Sequence, residues 1–177
     1  MNQSEINVPL KMLRENLDTI PDFPLPPGFA LRWYQPSDEE NWFRIQSLAD
    51  HHNKITPDFF QSQFGTHERL LAERQCYLLD PDGAPIGTGS AWFNDNFEGA
   101  KFGRIHWVAI IPDFQGRGLA KPLMTALCVR LHDLGHDRAY LSTSSARLPA
   151  IQLYRSFGFV PLVRSETEAV SWNQVIA

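Results

Sequence analysis

A short glycine-containing segment holds the residues best suited to chemistry. Residues 115–120 read Gln-Gly-Arg-Gly-Leu-Ala, follow an apolar run at 105–111 and precede a helical pattern that continues to about Leu134. A glycine loop between a strand and a helix directs unpaired backbone N–H groups at one point, where they bind phosphate. The sequence therefore predicts an anion-binding loop. Its contacts are expected from Gln115, Gly116, Arg117, Gly118, Leu119 and Ala120.

The loop does not match the two best-known phosphate motifs. A nucleotide P-loop needs Gly-Lys followed by Ser or Thr, and a dinucleotide fold needs a third glycine after an early strand. Neither pattern occurs around residues 115–120. A Gly-x-Gly pair also occurs in ordinary turns, so an ordinary turn stays open as the alternative.

Hydrophobic periodicity predicts the elements that must position this loop. Helices are expected at about 38–49, 56–64, 119–134 and 149–156. Strands are expected at 29–34, 76–79, 86–93, 102–111, 140–143, 159–163 and 169–172. This order predicts an α/β fold, with a mixed sheet of about seven strands and helices on both faces.

The first 28 residues are expected to form a peripheral N-terminal arm, with residues 29–177 as a single domain. Residues 20–28 contain four prolines, which exclude a regular helix or a central strand there. A short amphipathic piece is expected from about Val8 to Leu17. An arm draped over the body is favoured over one used in a dimer.

Composition excludes several classes of protein. The chain of 177 residues has a net charge of −4, so a global basic footprint for nucleic acid is absent. Cys76 and Cys128 are predicted to be buried reduced thiols, since they are far apart in sequence and lack metal-ligand spacing. No apolar run is long enough for a membrane and no secretory signal is visible, so a cytoplasmic protein without a metal is expected.

Two spaced motifs resemble those of one known family. Gln115-x-x-Gly118-x-Ala120, preceded by Val-Ala-Ile-Ile-Pro-Asp at 108–113, resembles the acyl-CoA pyrophosphate signature of the GNAT superfamily of N-acetyltransferases. Residues 150–159 are similar to that family's late segment, Ala-x-x-Leu-Tyr followed by Gly-Phe. The resemblance is sharpest from Phe102 to Val163. Many members have an Asn where this chain has Arg147.

The resemblance implies that acetyl-CoA is a co-substrate. Its pantetheine arm would pair with the main chain of Val108 and Ile110, and Ser144 or Ser145 would replace the contact of the missing Asn. The acetyl group would pass directly, in a ternary complex, to a primary amine of a small molecule or peptide. Members of the family often pair, so a homodimer is an expectation.

The resemblance also implies two catalytic residues. Tyr154 is the candidate general acid, and the alternative is an aromatic residue packed in the core. His106 is the candidate base, expected on the same strand face as Val108 and Ile110, and the alternative is structural packing. Glu98 is a second candidate base, and water a third. Some members have a carboxylate where this chain has Arg104.

The resemblance also implies an acceptor pocket built by the first two helices, the loop between them and the late hairpin. An apolar substrate wall and an ordinary core stripe both remain open for its aromatic residues. The residues concerned are His51, His52, Asn53, Phe59, Phe60 and Phe64, with Trp92 and Phe93 nearby. A non-catalytic acyl-CoA-binding or regulatory module, which would need neither Tyr154 nor His106, is the alternative function.

Overall fold

The computed structural model describes residues 7–176 and contains a seven-stranded sheet. The strands are β1 (Pro9–Arg14), β2 (Ala30–Trp33), β3 (Gln75–Leu79), β4 (Pro85–Phe97), β5 (Ala100–Ile110), β6 (Ala139–Ser144) and β7 (Val160–Pro161). The helices are α1 (Asp38–Ala49), α2 (Phe59–Phe64), α3 (Glu68–Arg74), α4 (Ala120–Asp133), α5 (Leu148–Ser156) and α6 (Glu166–Ile176). A turn of 3₁₀ helix spans Pro112–Phe114.

The sheet is mixed, with the order β2-β3-β4-β5-β6-β1-β7. Its pairs are antiparallel except β5 with β6, which are parallel and are joined by the crossover helix α4. Helices α4, α5 and α6 contribute to the buried cluster on one face, whereas α1 and α2 contribute to the cluster on the other. The predicted mixed α/β sheet of about seven strands is therefore confirmed.

The parallel strands β5 and β6 separate shortly after they meet. Their register covers only Gly103 to Ile105 on β5 and Ala139 to Leu141 on β6. Both strands continue beyond these pairs, to Ile110 and Ser144. The sheet therefore opens into a wedge, and the facing edges of the two strands line its sides.

The start of the described chain differs from the predicted arm. Pro9–Arg14 lies inside the sheet, antiparallel to both β6 and β7, and Leu10, Met12 and Leu13 are buried. The expectation of a peripheral segment is wrong for this part, because six residues are too few for periodicity to separate a strand from a helix. Residues 1–6 of the predicted arm lie outside the described residues.

The proline-rich part of that segment packs along α4. The backbone N–H of Phe23 donates to the hydroxyl of Thr125, and that hydroxyl donates to the carbonyl of Pro21. The Phe23 ring lies 5.7 Å from the ring of Phe157. This segment therefore covers the outer side of α4.

Two further differences concern short elements. The strand expected at 169–172 is part of α6, where Trp172 is buried in the main core. Helix α3 was not expected from the sequence pattern. Short apolar runs fit a strand and a helix equally well.

The long central helix agrees with its predicted apolar stripe. Leu123, Leu127 and Leu131 are fully buried against the sheet, and Gly135 ends the helix with a φ of 80°. Cys76 and Cys128 are both buried free thiols, as predicted. Between residues 7 and 176, no helix has the length and apolarity that crossing a membrane requires.

Candidate active site

A cleft with a volume of about 1270 Å³ follows the wedge between β5 and β6. At one side it is lined by the predicted anion loop, including Gly116 and Gly118. At the other it is lined by the loop after α1, including Asp50 and His52. Tyr154 on α5 also lines it. One continuous cavity thus joins the regions expected to hold the cofactor and the acceptor.

The anion loop offers unpaired backbone donors. Gly116 and Gly118 have φ angles of 74° and 76°, and no atom of the described chain lies within 4 Å of where a Cβ would stand on either. Within residues 7–176, the N–H groups of residues 116–120 donate to no protein acceptor. Helix α4 begins at Ala120, so its positive dipole end adds to this field. The loop fits a phosphate group.

The flanking side chains of this loop have different roles. The amide nitrogen of Gln115 donates to the carbonyl of Ile110 at 2.8 Å, which ties the loop to the end of β5. Arg117 stacks over the ring of Phe114 at 4.7 Å and does not line the cleft. Gln115, Leu119 and Ala120 do line it. The Arg117 side chain therefore lies outside the cleft lining, whereas the neighbouring glycines are part of it.

A β-bulge shapes the middle of β5. Ser90 on β4 faces His106, whereas Thr88 faces Ala109, so β5 has one residue more than β4 over this stretch. Trp107 takes a φ of 51°, and its carbonyl accepts from the side-chain amide of Gln46 at 2.9 Å. The buried Gln46 thereby holds the bulge in place.

The bulge changes which face His106 occupies. Val108 packs against the cluster on the α4 side. The His106 ring instead lies 5.5 Å from the ring of Phe64, on the α1 and α2 side. The expectation that His106 shares a face with Val108 and Ile110 is wrong, because the extra residue resets the alternation of side chains.

His106 is a buried neutral histidine that borders the cleft. The residue is 7% exposed and lines the cavity. Burial lowers the pKa of His106 well below 6.5, and the nearby charge of Arg104 lowers it further. The imidazole is therefore neutral at pH 7 and able to accept a proton.

Tyr154 presents a protonated phenol to the same cleft. Burial raises the pKa of Tyr154 to about 12, and the charge of Arg147 partly opposes this rise. Among the described residues, none hydrogen-bonds to its hydroxyl. Tyr154 also packs in the main core. Tyr154 thus packs in the core and also lines the cleft, a position compatible with both alternatives left open by the sequence, a general acid and a core residue.

An ion pair crosses the cleft at the position of the unusual arginine. Arg147 donates to both carboxylate oxygens of Asp50, at 2.8 and 3.0 Å. The same carboxylate accepts from the backbone N–H groups of His52 and Asn53. The pair therefore joins the loop after α1 to the start of α5.

Other predicted residues lie away from the cleft. Glu98 is in the turn between β4 and β5, where it pairs with Arg164 at 2.8 Å. Ser145 exchanges hydrogen bonds with Val8, whereas its neighbour Ser144 lines the cavity. Glu98 therefore has no place beside the reacting groups, and Ser144 is better placed than Ser145.

The predicted acceptor pocket divides into two parts. His51, His52 and Asn53 line the cleft. Phe60 and Phe64 are instead buried around Trp42, so the core alternative holds for these rings. Within the described part of the chain, no group of three or more metal-ligating side chains is present.

Sequence reasoning missed two residues of the cleft, although each left a signal. Gln46 lies in the apolar stripe of α1 and is buried. Because buried polar side chains normally have a hydrogen-bond partner, a glutamine at this position was a signal of a specific contact. Arg104 interrupts the apolar pattern of β5 and lines the cavity. A charge inside a buried strand is a comparable signal.

Residues 31–159 match the family model described as the acetyltransferase (GNAT) family. A mycothiol acetyltransferase from Cellulomonas flavigena is 30% identical over 145 residues, covering 76% of this chain and 41% of that protein. One from Actinosynnema mirum is 30% identical over 156 residues, covering 85% of this chain and 51% of that protein. The chain thus spans about half the length of these curated relatives.

Solved structures support the same fold. A GCN5-related N-acetyltransferase from Sphaerobacter thermophilus matches with a TM-score of 0.73 and 23% identity, over 88% of this chain and 49% of that one. The ribosomal-protein-S18-alanine N-acetyltransferase from Escherichia coli matches with a TM-score of 0.63 and 21% identity, over 76% of this chain and 79% of that one.

Proposed function

The chain belongs to the GNAT acetyltransferase family, and from this premise we propose that it transfers the acetyl group of acetyl-CoA directly to a primary amine. One observation carries the proposal. Residues 116–120 have unpartnered backbone N–H groups and lie at a cleft that Tyr154 also lines. The acceptor is the amine of a small molecule or peptide, bound in a ternary complex. We further propose a single domain, a cytoplasmic location and a homodimer.

The residues present fit the coenzyme. Main-chain N–H groups at Gly116 and Gly118 would hold the diphosphate, because no Cβ stands in its way. The unpaired edge of β5 at Val108 and Ile110 lines the cleft, and it suits an extended pantetheine arm that pairs like an added strand. The acetyl group would then lie in the wedge, between loop and acceptor.

The reaction needs two proton transfers. An alkylamine is mostly protonated at pH 7, since its pKa is near 10.4, so a base must remove a proton before or during attack. The amine nitrogen bonds to the acetyl carbon, the carbon–sulfur bond breaks, and the sulfur keeps the bonding electrons. Tyr154 hydrogen-bonds to the leaving sulfur and supplies its proton, and the proton that the nitrogen loses on becoming an amide restores the phenol. Arg147 favours this transfer because it lowers the pKa of the buried phenol.

The direct test is titration with acetyl-CoA followed by an assay of thiol release. Calorimetry is expected to show one bound acetyl-CoA per chain. A panel of amines, peptides and the acceptor of the mycothiol acetyltransferases is expected to include at least one that releases free thiol. Absence of binding at millimolar acetyl-CoA would refute the proposal. Binding without amine-dependent thiol release would favour the non-catalytic module.

We propose that His106 is the base, and expect His106→Gln to lower turnover by about 100-fold. The neutral ring is the active form, so the wild-type rate should fall as the pH drops through a pKa that lies below 6.5. The variant should lose this acidic limb, which a profile of rate against pH measures.

The control for this prediction is His136→Gln. His136 is also buried near an arginine, with a pKa of about 4, but it does not line the cleft. This variant should keep both the rate and the acidic limb. If His106→Gln has the same profile and rate as the wild type, water acts as the base instead.

A further inference from the structure

Arg104 is a charged side chain that lines the cleft, and none of the acidic residues that the structure describes pairs with it. It lies on β5 before the bulge, and its guanidinium carbon stands 5.5 Å from the centre of the Tyr140 ring. Over residues 7–176, none of the ion pairs includes Arg104, and its buried Nε has no hydrogen-bond partner. Protein groups alone therefore leave this guanidinium incompletely satisfied.

Such an arrangement is costly unless a ligand completes it. Burial lowers the pKa of Arg104, which reports the penalty for holding the charge away from water. Buried charges in proteins are normally paired and hydrogen-bonded. The planar guanidinium donates two parallel hydrogen bonds to a carboxylate, a geometry that a lysine cannot supply.

Other charges and hydroxyls around the cleft support this assignment. Asp50 is already paired with Arg147, so it does not compensate Arg104. Ser144 lines the same cavity, and its buried hydroxyl has no partner in the described chain. The lining of the cleft therefore includes one positive charge and one unpartnered hydroxyl that a ligand can bind.

We propose that Arg104 binds a carboxylate of the acceptor, so that the preferred substrate is a primary amine that also bears an acidic group. This inference rests on the proposed acetyl transfer. Arg104 and His106 are two residues apart on one strand, which places their Cα atoms about 7 Å from each other. An amine held near His106 would thus lie a few bonds from its carboxylate, as in a short amino acid.

The test compares amino acids with their carboxamides. Glycine, β-alanine and 4-aminobutanoate are each assayed beside the matching amide, and kcat/KM is expressed per unprotonated amine. The wild type should prefer at least one acid over its amide by about 10- to 100-fold, the value of a charge-assisted hydrogen bond. Arg104→Gln should abolish the preference by raising KM for the acid alone. Because Arg104 also lowers the pKa of His106, any change in kcat should be shared by acid and amide. Arg104→Lys should restore part of it.

Arg138→Gln is the matched control. Arg138 also stacks on an aromatic ring, that of Phe102 at 4.2 Å, but it does not line the cleft. This variant should keep the acid preference. A structural role for Arg104 predicts equal losses for acid and amide, and an unchanged ratio in Arg104→Gln would overturn the proposal. Preference for 2-aminoethyl phosphate over every amino acid would also overturn it, in favour of a phosphate.

A binding measurement separates this inference from the proposed function. Calorimetry of the same acids and amides, with CoA present, reports recognition without turnover. The wild type can bind the acids more tightly than the amides even if no amine is acetylated. If Arg104→Gln removes that difference in affinity, the role of Arg104 is still supported. Equal binding of acids and amides by the wild type would refute it, even if acetyl transfer is demonstrated.

Discussion

Tyr154→Phe is expected to lower turnover by about 100-fold or more while acetyl-CoA binds with unchanged affinity. The substitution removes one hydroxyl and keeps the ring that packs in the main core. Because the pKa of Tyr154 is raised to about 12, the wild-type phenol is protonated throughout the neutral range. Loss of that proton donor leaves the departing sulfur unassisted. Thiol-release kinetics and calorimetry with acetyl-CoA measure the two quantities.

Tyr34→Phe provides the matched control for this prediction. Tyr34 is also buried, and its hydroxyl donates to Glu39 at 2.8 Å, away from the cleft. Its variant should lose some stability and keep full turnover. Normal turnover in Tyr154→Phe would show that the sulfur leaves without this phenol, and a matching loss in both variants would indicate a general effect of removing buried hydroxyls.

The sequence predicted well those parts of the fold that are encoded by a contiguous stretch of residues. The stripe at Leu123, Leu127 and Leu131 has helical spacing over several turns, and Gly135 marks its end. The anion loop is likewise a local motif, since glycines, preceding strand and following helix are contiguous. These features depend on neighbours in the chain and can be recognised without the rest of the molecule.

The parts that sequence missed depend on distant partners. Pro9–Arg14 is a strand because β6 and β7 supply its hydrogen bonds, and those strands lie more than a hundred residues away. The bulge at Trp107 arises from the register between β4 and β5. The side-chain amide of Gln46, on the distant helix α1, donates a hydrogen bond to the carbonyl of Trp107. A strictly alternating pattern therefore gave the wrong face for His106.

The charged residues of the candidate site were also predicted incompletely, because their partners are distant in the sequence. The position of Arg147 was recognisable as a departure from a motif, but its partner Asp50 is 97 residues away. Arg104 was visible as a missing carboxylate and as a charge in an apolar strand, but neither signal showed that it is unpaired. Contacts between separate loops decide whether a charged residue is paired or free to bind a ligand, and spacing along the chain does not report them.

Gly118→Ala is expected to weaken acetyl-CoA binding by about 10- to 100-fold, comparable with the loss of one charge-assisted hydrogen bond. With a φ of 76°, the position disfavours a Cβ, so the backbone should rotate and its N–H should leave the shared direction. No protein atom would contact the added methyl group, but the group would occupy space next to the proposed diphosphate site. Calorimetry measures the affinity, and thermal unfolding measures the accompanying loss of stability, expected to be about 1 kcal/mol.

Gly83→Ala separates strain from binding. Gly83 has a φ of 82° and equally open surroundings, but it belongs to the hairpin turn between β3 and β4. The two variants should lose similar stability, because each places an alanine in a left-handed conformation. Only Gly118→Ala should lose affinity, since of the two glycines only Gly118 belongs to the loop that we propose holds the coenzyme. Equal affinities in both variants would mean that the glycine loop is an ordinary turn and that the diphosphate is held elsewhere.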